Sequence, residues 1–302
     1  MDSQYLVGID LGGTKTEVIV MSRAGEVLLT KRVPTVKADY QATLTTIVKL
    51  VEYAEQSLQQ TASVGIGTPG ALSPADGLLK NSNSTWLNGK PFQRDIETAL
   101  QRPVRIANDA NCFALSEAVD GAAKDAKVVF GVIAGTGTGG GIVVGKQVLS
   151  GVNAIAGEWG HNPMPWPHAD ELPGRKCYCG KSGCIETFLS GPGLSWDLYN
   201  FTGVQLSAEA IVAEAEAGNF DANAALKRYE MRMAKSLASV INILDPDVIV
   251  LGGGMSNIQR LYTNVPELWG DYVFSNQVLT RLVPPMYGDS SGARGAAWLW
   301  LN

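Results

Sequence analysis

An α/β fold of two lobes is what the sequence predicts, and three observations predict it. At 302 residues the chain exceeds the length at which one hydrophobic core normally keeps growing. A strand, a glycine-rich turn and a second strand open it, and the same succession restarts around Lys127. Runs with apolar residues at helical spacing alternate with the strands, as they do in layered α/β domains.

Taken in order, Tyr5-Leu6-Val7-Gly8-Ile9-Asp10 reads as a strand, Leu11 to Lys15 as a glycine turn and Thr16 to Met21 as the returning strand, continued by Val27 to Val33. Leu44, Ile47, Val48, Val51, Ala54 and Leu58 share one helical face, so a helix packs on that sheet. Ser63 to Gly67 is a buried strand ending at Thr68-Pro69-Gly70, and Val104 to Ala107 leads into Asn108-Asp109-Ala110-Asn111, where a helix starts. The second succession is Val128 to Ile133, the turn Gly135 to Gly141, and Ile142 to Val144. Ser207 caps a helix closed by Gly218, and Asp221 opens a long one stopped by Pro246. Asp247 to Leu251 is a buried strand ending in Gly252-Gly253-Gly254, and a helix near Gly292 to Trp300 ends the chain. Residue likeness between the two halves is too weak to prove duplication.

Hydrophobic residues at 45% and charged residues at 18% describe an ordinary soluble protein with a large core. The net charge of −5 gives no footprint for nucleic acid or an anionic membrane. No apolar run approaches the ~20 residues of a membrane span. Met1-Asp2-Ser3-Gln4 lacks the basic and apolar regions of a signal peptide, so a reducing, cytoplasmic home is expected.

Gly65-Ile66-Gly67-Thr68-Pro69-Gly70 and Gly135-Thr136-Gly137-Thr138-Gly139-Gly140 both match G-x-G-x-x-G. A dinucleotide fingerprint must open a helix after its strand, and neither does. Gly180-Lys181-Ser182 resembles the end of a Walker A loop, but the glycine it needs is displaced by one, to Gly174. A different phosphate grip is available, because successive amides in a glycine turn form an anion-binding concavity. Gly12, Gly13 and Thr14 offer one such turn and Thr136, Gly137 and Thr138 a second, while Gly253 and Gly254 follow a third apolar strand. Lys15 adds a point charge, and Asp10 at the end of the first strand suits Mg²⁺ held through water. Each loop alone reads as a plain hairpin; three clusters together point to nucleotide binding.

The most specific stretch runs from Gly157 to Glu186. Cys177, Cys179 and Cys184 lie within eight positions, and His161 upstream completes a four-ligand set. Such a set suits tetrahedral Zn²⁺ in a closed, structural site. The rival reading is disulfides or inert thiols, against which stand the closeness of Cys177 to Cys179 and a length that needs no staples. Cys112 is read as a small buried apolar residue. The clamp would fix Glu158 and His161 at one end and Glu186 at the other, acceptors suited to sugar hydroxyls. Asp109 is the candidate general base for a phosphoryl acceptor, with Asn108 beside it to hold a hydroxyl. Its bland alternative is a helix cap.

Asp10-Leu11-Gly12-Gly13-Thr14-Lys15-Thr16, Asn108 to Asn111, Gly157 to His161, Cys177 to Glu186 and Gly252-Gly253-Gly254-Met255 together resemble the ROK family of bacterial sugar kinases, repressors and epimerases. Asn83 to Gly89, Glu117 to Gly121 and Asp289 to Gly292 look like its fructokinase (mannofructokinase) branch. The resemblance implies an actin-like, ribonuclease-H-like ATPase fold of two lobes with a central cleft. The smaller lobe would take residues 1–110, completed by a helix at about 290–302, and the larger lobe 111–289. It implies ATP, Mg²⁺ and a structural Zn²⁺, and transfer of phosphate to the 6-hydroxyl of D-fructose, also of mannose. By position, Asp109 is the base, Asn108, Glu158, His161 and Glu186 touch the sugar, and His161 also ligates zinc with Cys177, Cys179 and Cys184. Glucose or an N-acetyl amino sugar as acceptor, or a non-catalytic sugar-responsive regulator, are the alternatives. A regulator needs a helix-turn-helix ahead of the first strand, which begins at Tyr5. The family also implies a homodimer.

Overall fold

A computed structural model describes residues 3–301. Met1, Asp2 and Asn302, the outer ends of the expected smaller lobe, lie outside the described residues. The chain divides into two units, the first holding residues up to Asp125, Gly141–Ala156 and those from Met286 on, the second Ala126–Gly140 and Gly157–Pro285.

In the first unit β1 (Tyr5–Leu11), β2 (Lys15–Ser22) and β3 (Val27–Pro34) form a meander, followed by α1 (Tyr40–Leu58) and β4 (Ser63–Thr68). A short hairpin, β5 (Ala71–Leu72) and β6 (Leu79–Lys80), precedes α2 (Phe92–Leu100), β7 (Val104–Asn108) and α3 (Asp109–Val119). The sheet order is β3-β2-β1-β4-β7, antiparallel from β3 to β1 and parallel from β1 to β7. One face is closed by α1, whose expected Leu44, Ile47, Val51 and Ala54 are buried against the strands together with Leu50, while Val48 and Leu58 are only partly buried.

β8 (Val128–Ala134), β9 (Thr138–Val144) and β10 (Gln147–Val148) repeat the succession, and α4 (Glu186–Leu189), α5 (Gly191–Thr202), α6 (Ala208–Glu216) and α7 (Phe220–Leu244) follow. β11 (Val248–Gly252), α8 (Leu261–Trp269) and β12 (Arg281–Val283) complete the order β10-β9-β8-β11-β12, with β8, β11 and β12 parallel. Strand for strand this matches the first sheet. The two sheets share one strand order, with β1, β4 and β7 parallel in the first as β8, β11 and β12 are in the second.

The last helix, α9 (Ser291–Trp298), belongs to the first unit, and three glycines seat it. A Cβ on Gly8 would stand 1.9 Å from the Ala293 carbonyl oxygen, one on Gly65 1.8 Å from that of Ala296, and one on Gly295 1.6 Å from that of Cys112. Backbone therefore packs on backbone between β1, β4, α9 and α3. That contact corrects the expected division after residue 110. Nearly all of α3 is buried, and it stays with the first unit because Gly295 brings α9 onto it.

Candidate functional site

In the first unit the β1–β2 turn is braced by Thr35, whose amide donates to the Thr14 carbonyl at 3.0 Å and whose hydroxyl donates to that of Gly12 at 2.8 Å. Gly13 has open space on its Cβ side, and Gly13 and Thr14 are exposed. Lys15 Nζ donates to Asp289 Oδ2 at 2.9 Å, which holds the Asp289 carboxyl below its usual range. Asp10, at the end of β1, lies against Gly292, where a Cβ would meet its Oδ2 at 2.7 Å. Burial first, then the negative charges of Asp109 and Glu17, push the Asp10 carboxyl up to about 7, against the opposing pull of Lys15 and Arg32. Asp10 and Asp109 are thus electrostatic neighbours.

The cap of α3 is Asn108, whose Oδ1 accepts from the Asn111 amide at 2.8 Å. The bland reading of Asp109 as that cap is corrected, since Asp109 is the first helical residue and its Oδ1 accepts from the Ala110 amide at 2.8 Å. The cap bond occupies one acceptor site of Oδ1, and the amide nitrogen is the donor by which Asn108 can address a hydroxyl. A helix N-terminus also favours a charged carboxylate at position 109.

In the second unit His161, Cys177, Cys179 and Cys184 each offer a ligand atom, all within 4.8 Å of one another. His161 Nδ1 is 3.5 Å from Cys177 Sγ, and Cys179 Sγ is 3.6 Å from Cys184 Sγ. A tetrahedral Zn²⁺ with Zn–S of about 2.3 Å and Zn–N of about 2.0–2.1 Å separates its ligand atoms by about 3.5–3.8 Å. The donor set and its spacing therefore fit that ion, and all four cysteines are free, so the disulfide reading falls. The loop is held by backbone: the Cys177 amide donates to the Lys181 carbonyl at 2.8 Å and the Gly183 amide to that of Arg175 at 2.9 Å. Gly180 and Gly183 take φ of +89° and +71°, where other residues are strained. Cys112 is fully buried, as expected.

Glu186 opens α4, and its Oε2 accepts from the Thr138 amide at 3.0 Å. A Cβ on Gly137 would stand 2.7 Å from the same oxygen, so glycine leaves room for the carboxylate in this position. Glu158 immediately precedes the short 3-10 turn Trp159–His161. That turn is locked to β9: Trp159 Nε1 donates to the Gly139 carbonyl at 3.0 Å, and a Cβ on Gly160 would strike the Thr138 carbonyl at 2.0 Å. Tyr178, between two of the cysteines, bonds by its hydroxyl to His161 Nε2 at 3.0 Å. Its phenol is pushed up to about 12, by partial desolvation first and then by the charges of Glu186, Cys177 and Glu158.

On its other side the Gly135–Thr136 turn borders a pocket of ≈ 950 Å³. Gly191, Trp196, Ser207, Val212, Gly254 and Met255 help to line it, a mixture of small, apolar and hydroxyl groups suited to an organic ligand. Gly253 takes φ +79° and needs it, since a Cβ would meet the Ala134 carbonyl at 2.4 Å. Sequence reasoning reached Thr136 and Gly254 but missed the wall from α5 and α6. The only signal there, Gly191-Pro192-Gly193 after Ser190, is ordinary helix-start chemistry. The proline-rich segment after His161 is pinned to α7: Arg232 pairs with Glu171 at 2.6 Å and Lys235 Nζ donates to the Trp166 carbonyl at 2.7 Å.

The ROK family matches this chain over residues 6–302. The chain belongs to the ROK family. Among ROK proteins it is 40% identical over 298 residues to an N-acetyl-D-glucosamine kinase of Yersinia pseudotuberculosis, covering 97% of this chain and 98% of that protein. It is 39% identical over 299 residues to the protein of that name from Salmonella typhimurium, covering 98% and 99%. It superposes on the ROK hexokinase from Thermus thermophilus with a TM-score of 0.86 at 30% identity, covering 97% of both chains. A ROK glucokinase from Streptomyces griseus, solved with glucose and AMPPNP, aligns with a TM-score of 0.78 over 98% of both chains; at 24% identity the likeness is one of fold alone.

The chain is thus a ROK sugar kinase with the α/β architecture of the two-lobed actin-like ATPases. The fructokinase branch expected from three short stretches has no support in these relatives. All three of those stretches carry structural work. Buried Glu117 accepts from the Ala122 and Met286 amides at 2.9 and 3.0 Å and from the Ser291 hydroxyl at 2.8 Å, and Asn88 bonds twice to Ser82 at 2.9 Å. Among the described residues no helix is long and apolar enough to cross a membrane.

Proposed function

We propose that this ROK protein transfers the terminal phosphoryl group of ATP to the 6-hydroxyl of a hexose, and that N-acetyl-D-glucosamine is the acceptor. Full-length identity of 39–40% to kinases named for that sugar supports the acceptor. The observation that carries the reading is the bond from the Thr138 amide to Glu186, which joins the end of the cysteine loop to the glycine turn beside the ≈ 950 Å³ pocket. D-fructose, with mannose beside it, is the second reading. It rests on Asn83 to Gly89, Glu117 to Gly121 and Asp289 to Gly292. A regulator without catalysis would not need an acid at position 109.

In this mechanism Glu158, His161 and Glu186 receive sugar hydroxyls, and Asn108 addresses another through its amide nitrogen. Asp109 orients the 6-hydroxyl and takes its proton as the oxygen attacks the terminal phosphorus, releasing ADP and the sugar 6-phosphate. The amides of Gly12, Gly13, Thr14, Thr136, Gly137, Thr138, Gly253 and Gly254 cradle the phosphates, and the adenosine occupies the pocket walled by α5 and α6. Lys15 leaves Asp289 to neutralise phosphate charge. Zn²⁺ held by His161, Cys177, Cys179 and Cys184 would supply rigidity, since four protein ligands leave no open position. Mg²⁺ would supply charge neutralisation on the phosphates, held near Asp10 through water; a carboxyl raised to about 7 is one that a cation would return to its charged form. A cytoplasmic homodimer completes the reading.

Coupled-assay turnover of ATP with N-acetyl-D-glucosamine, D-glucose, D-mannose and D-fructose tests it. The amino sugar is expected to give the highest kcat/KM. A higher value for fructose moves the assignment to the second reading, and ATP turnover indifferent to every sugar rejects both.

A further inference from the structure

Tyr178 and His161 meet edge to face, ring centroids 5.1 Å apart and planes at 88°, with the phenol oxygen 3.0 Å from Nε2. The opposite nitrogen, Nδ1, faces the thiols at 3.5 Å from Cys177 Sγ. An imidazole that gives Nδ1 to a cation keeps its proton on Nε2, so Nε2–H is the one donor His161 has for an oxygen outside the cluster. Tyr178 holds that donor. The tyrosine is 79% exposed, while its backbone is fixed on both sides, by Cys177 to Lys181 at 2.8 Å and Gly180 to Cys177 at 3.0 Å. Side-chain rotation alone releases the bond, with little apolar surface to re-expose.

We propose that the Tyr178 hydroxyl stands in for a sugar hydroxyl on His161 Nε2 and is exchanged for it when a hexose binds, which makes Tyr178 a specificity-determining residue. The inference rests on the proposed role of His161 in sugar binding. A hexose with a hydroxyl placed to take Nε2–H offsets the displaced phenol, and one without it does not. Tyr178 therefore discriminates among acceptors that the carboxylates of Glu158 and Glu186 would receive alike. The net value of one such hydrogen bond corresponds to about a two- to tenfold change in a binding constant.

The test compares zinc-loaded full-length wild type with Tyr178→Phe, by calorimetric titration with N-acetyl-D-glucosamine and with D-fructose and by NMR of the His161 Nε2 proton. Tyr178→Phe is expected to keep its metal and its KM for ATP, and to bind the accepted sugar about two- to tenfold more tightly. That sugar should shift the His161 resonance in both proteins. Unchanged or weaker sugar binding by metal-replete Tyr178→Phe, with the wild-type resonance still shifting, overturns the exchange and leaves the His161 assignment standing. A sugar that binds without moving the resonance in either protein overturns both.

Discussion

The Glu186 carboxylate accepts a hydrogen bond from the Thr138 backbone amide at 3.0 Å, and Gly137 is the residue that leaves room for it. One acid thereby belongs both to the cysteine loop and to the turn after β8. Gly137→Ala places a Cβ 2.7 Å from Glu186 Oε2 and must push the carboxylate away. A charge-assisted bond of this kind is worth about 1.5–3 kcal/mol, so kcat/KM should fall about ten- to a hundredfold. Both substrates should be affected while zinc content is kept; steady-state kinetics with metal analysis decide it.

Asp109→Asn should keep the fold, since Asn108 makes the cap and asparagine still accepts at that position. Turnover should drop by about 10²–10⁴, the usual worth of a positioned general base. Circular dichroism and metal content are expected to match wild type, and a retained rate would remove Asp109 from the mechanism.

Cys179→Ser should strip the metal and loosen the loop that carries Glu186. KM for sugar should then rise more than KM for ATP, because Arg175 is the one residue of the loop region that lines the large pocket, whose α5–α6 wall lies outside it. Metal-free protein with unchanged sugar kinetics would show the clamp to be irrelevant to acceptor binding.

Asp10 gives a pH dependence with a definite sign. In the unfolded chain its carboxyl titrates near 3.8 and in the fold near 7. Between those values the folded state holds the extra proton, so this group's contribution to stability falls as pH rises across the window. In Mg²⁺-free buffer Asp10→Asn should therefore gain Tm relative to wild type from pH 4 to pH 7 and no further above it. Added Mg²⁺·ATP should raise the wild-type Tm at pH 8 and do less for the variant. Thermal melts at several pH values check both.

Much of this site could be read from the chain because its chemistry is local in sequence. Three cysteines in eight positions and glycines directly after apolar strands announce themselves by spacing. What stayed hidden depends on partners far along the chain. Gly8, Gly65 and Gly295 look like any small residues until α9 is laid across them. Arg232 and Lys235 sit mid-helix in α7 with no local signal of their partners, and they are buried holding Glu171 and the Trp166 carbonyl. Glu117 reads as a family mark, and its burial with hydrogen bonds accepted from Ala122, Met286 and Ser291 explains it without reference to any substrate. Tyr178 lay in plain view between two ligands, but only the 3.0 Å contact ties it to His161.

Because α9 rests on glycines of β1 and β4, two strands made early along this sequence are completed only by residues near position 293. At about 5–20 residues per second, the nascent sheet waits on the order of ten to sixty seconds with a bare backbone face. A chain cut anywhere before position 291 thus leaves that backbone face of β1 and β4 open, a hazard for chaperones to cover.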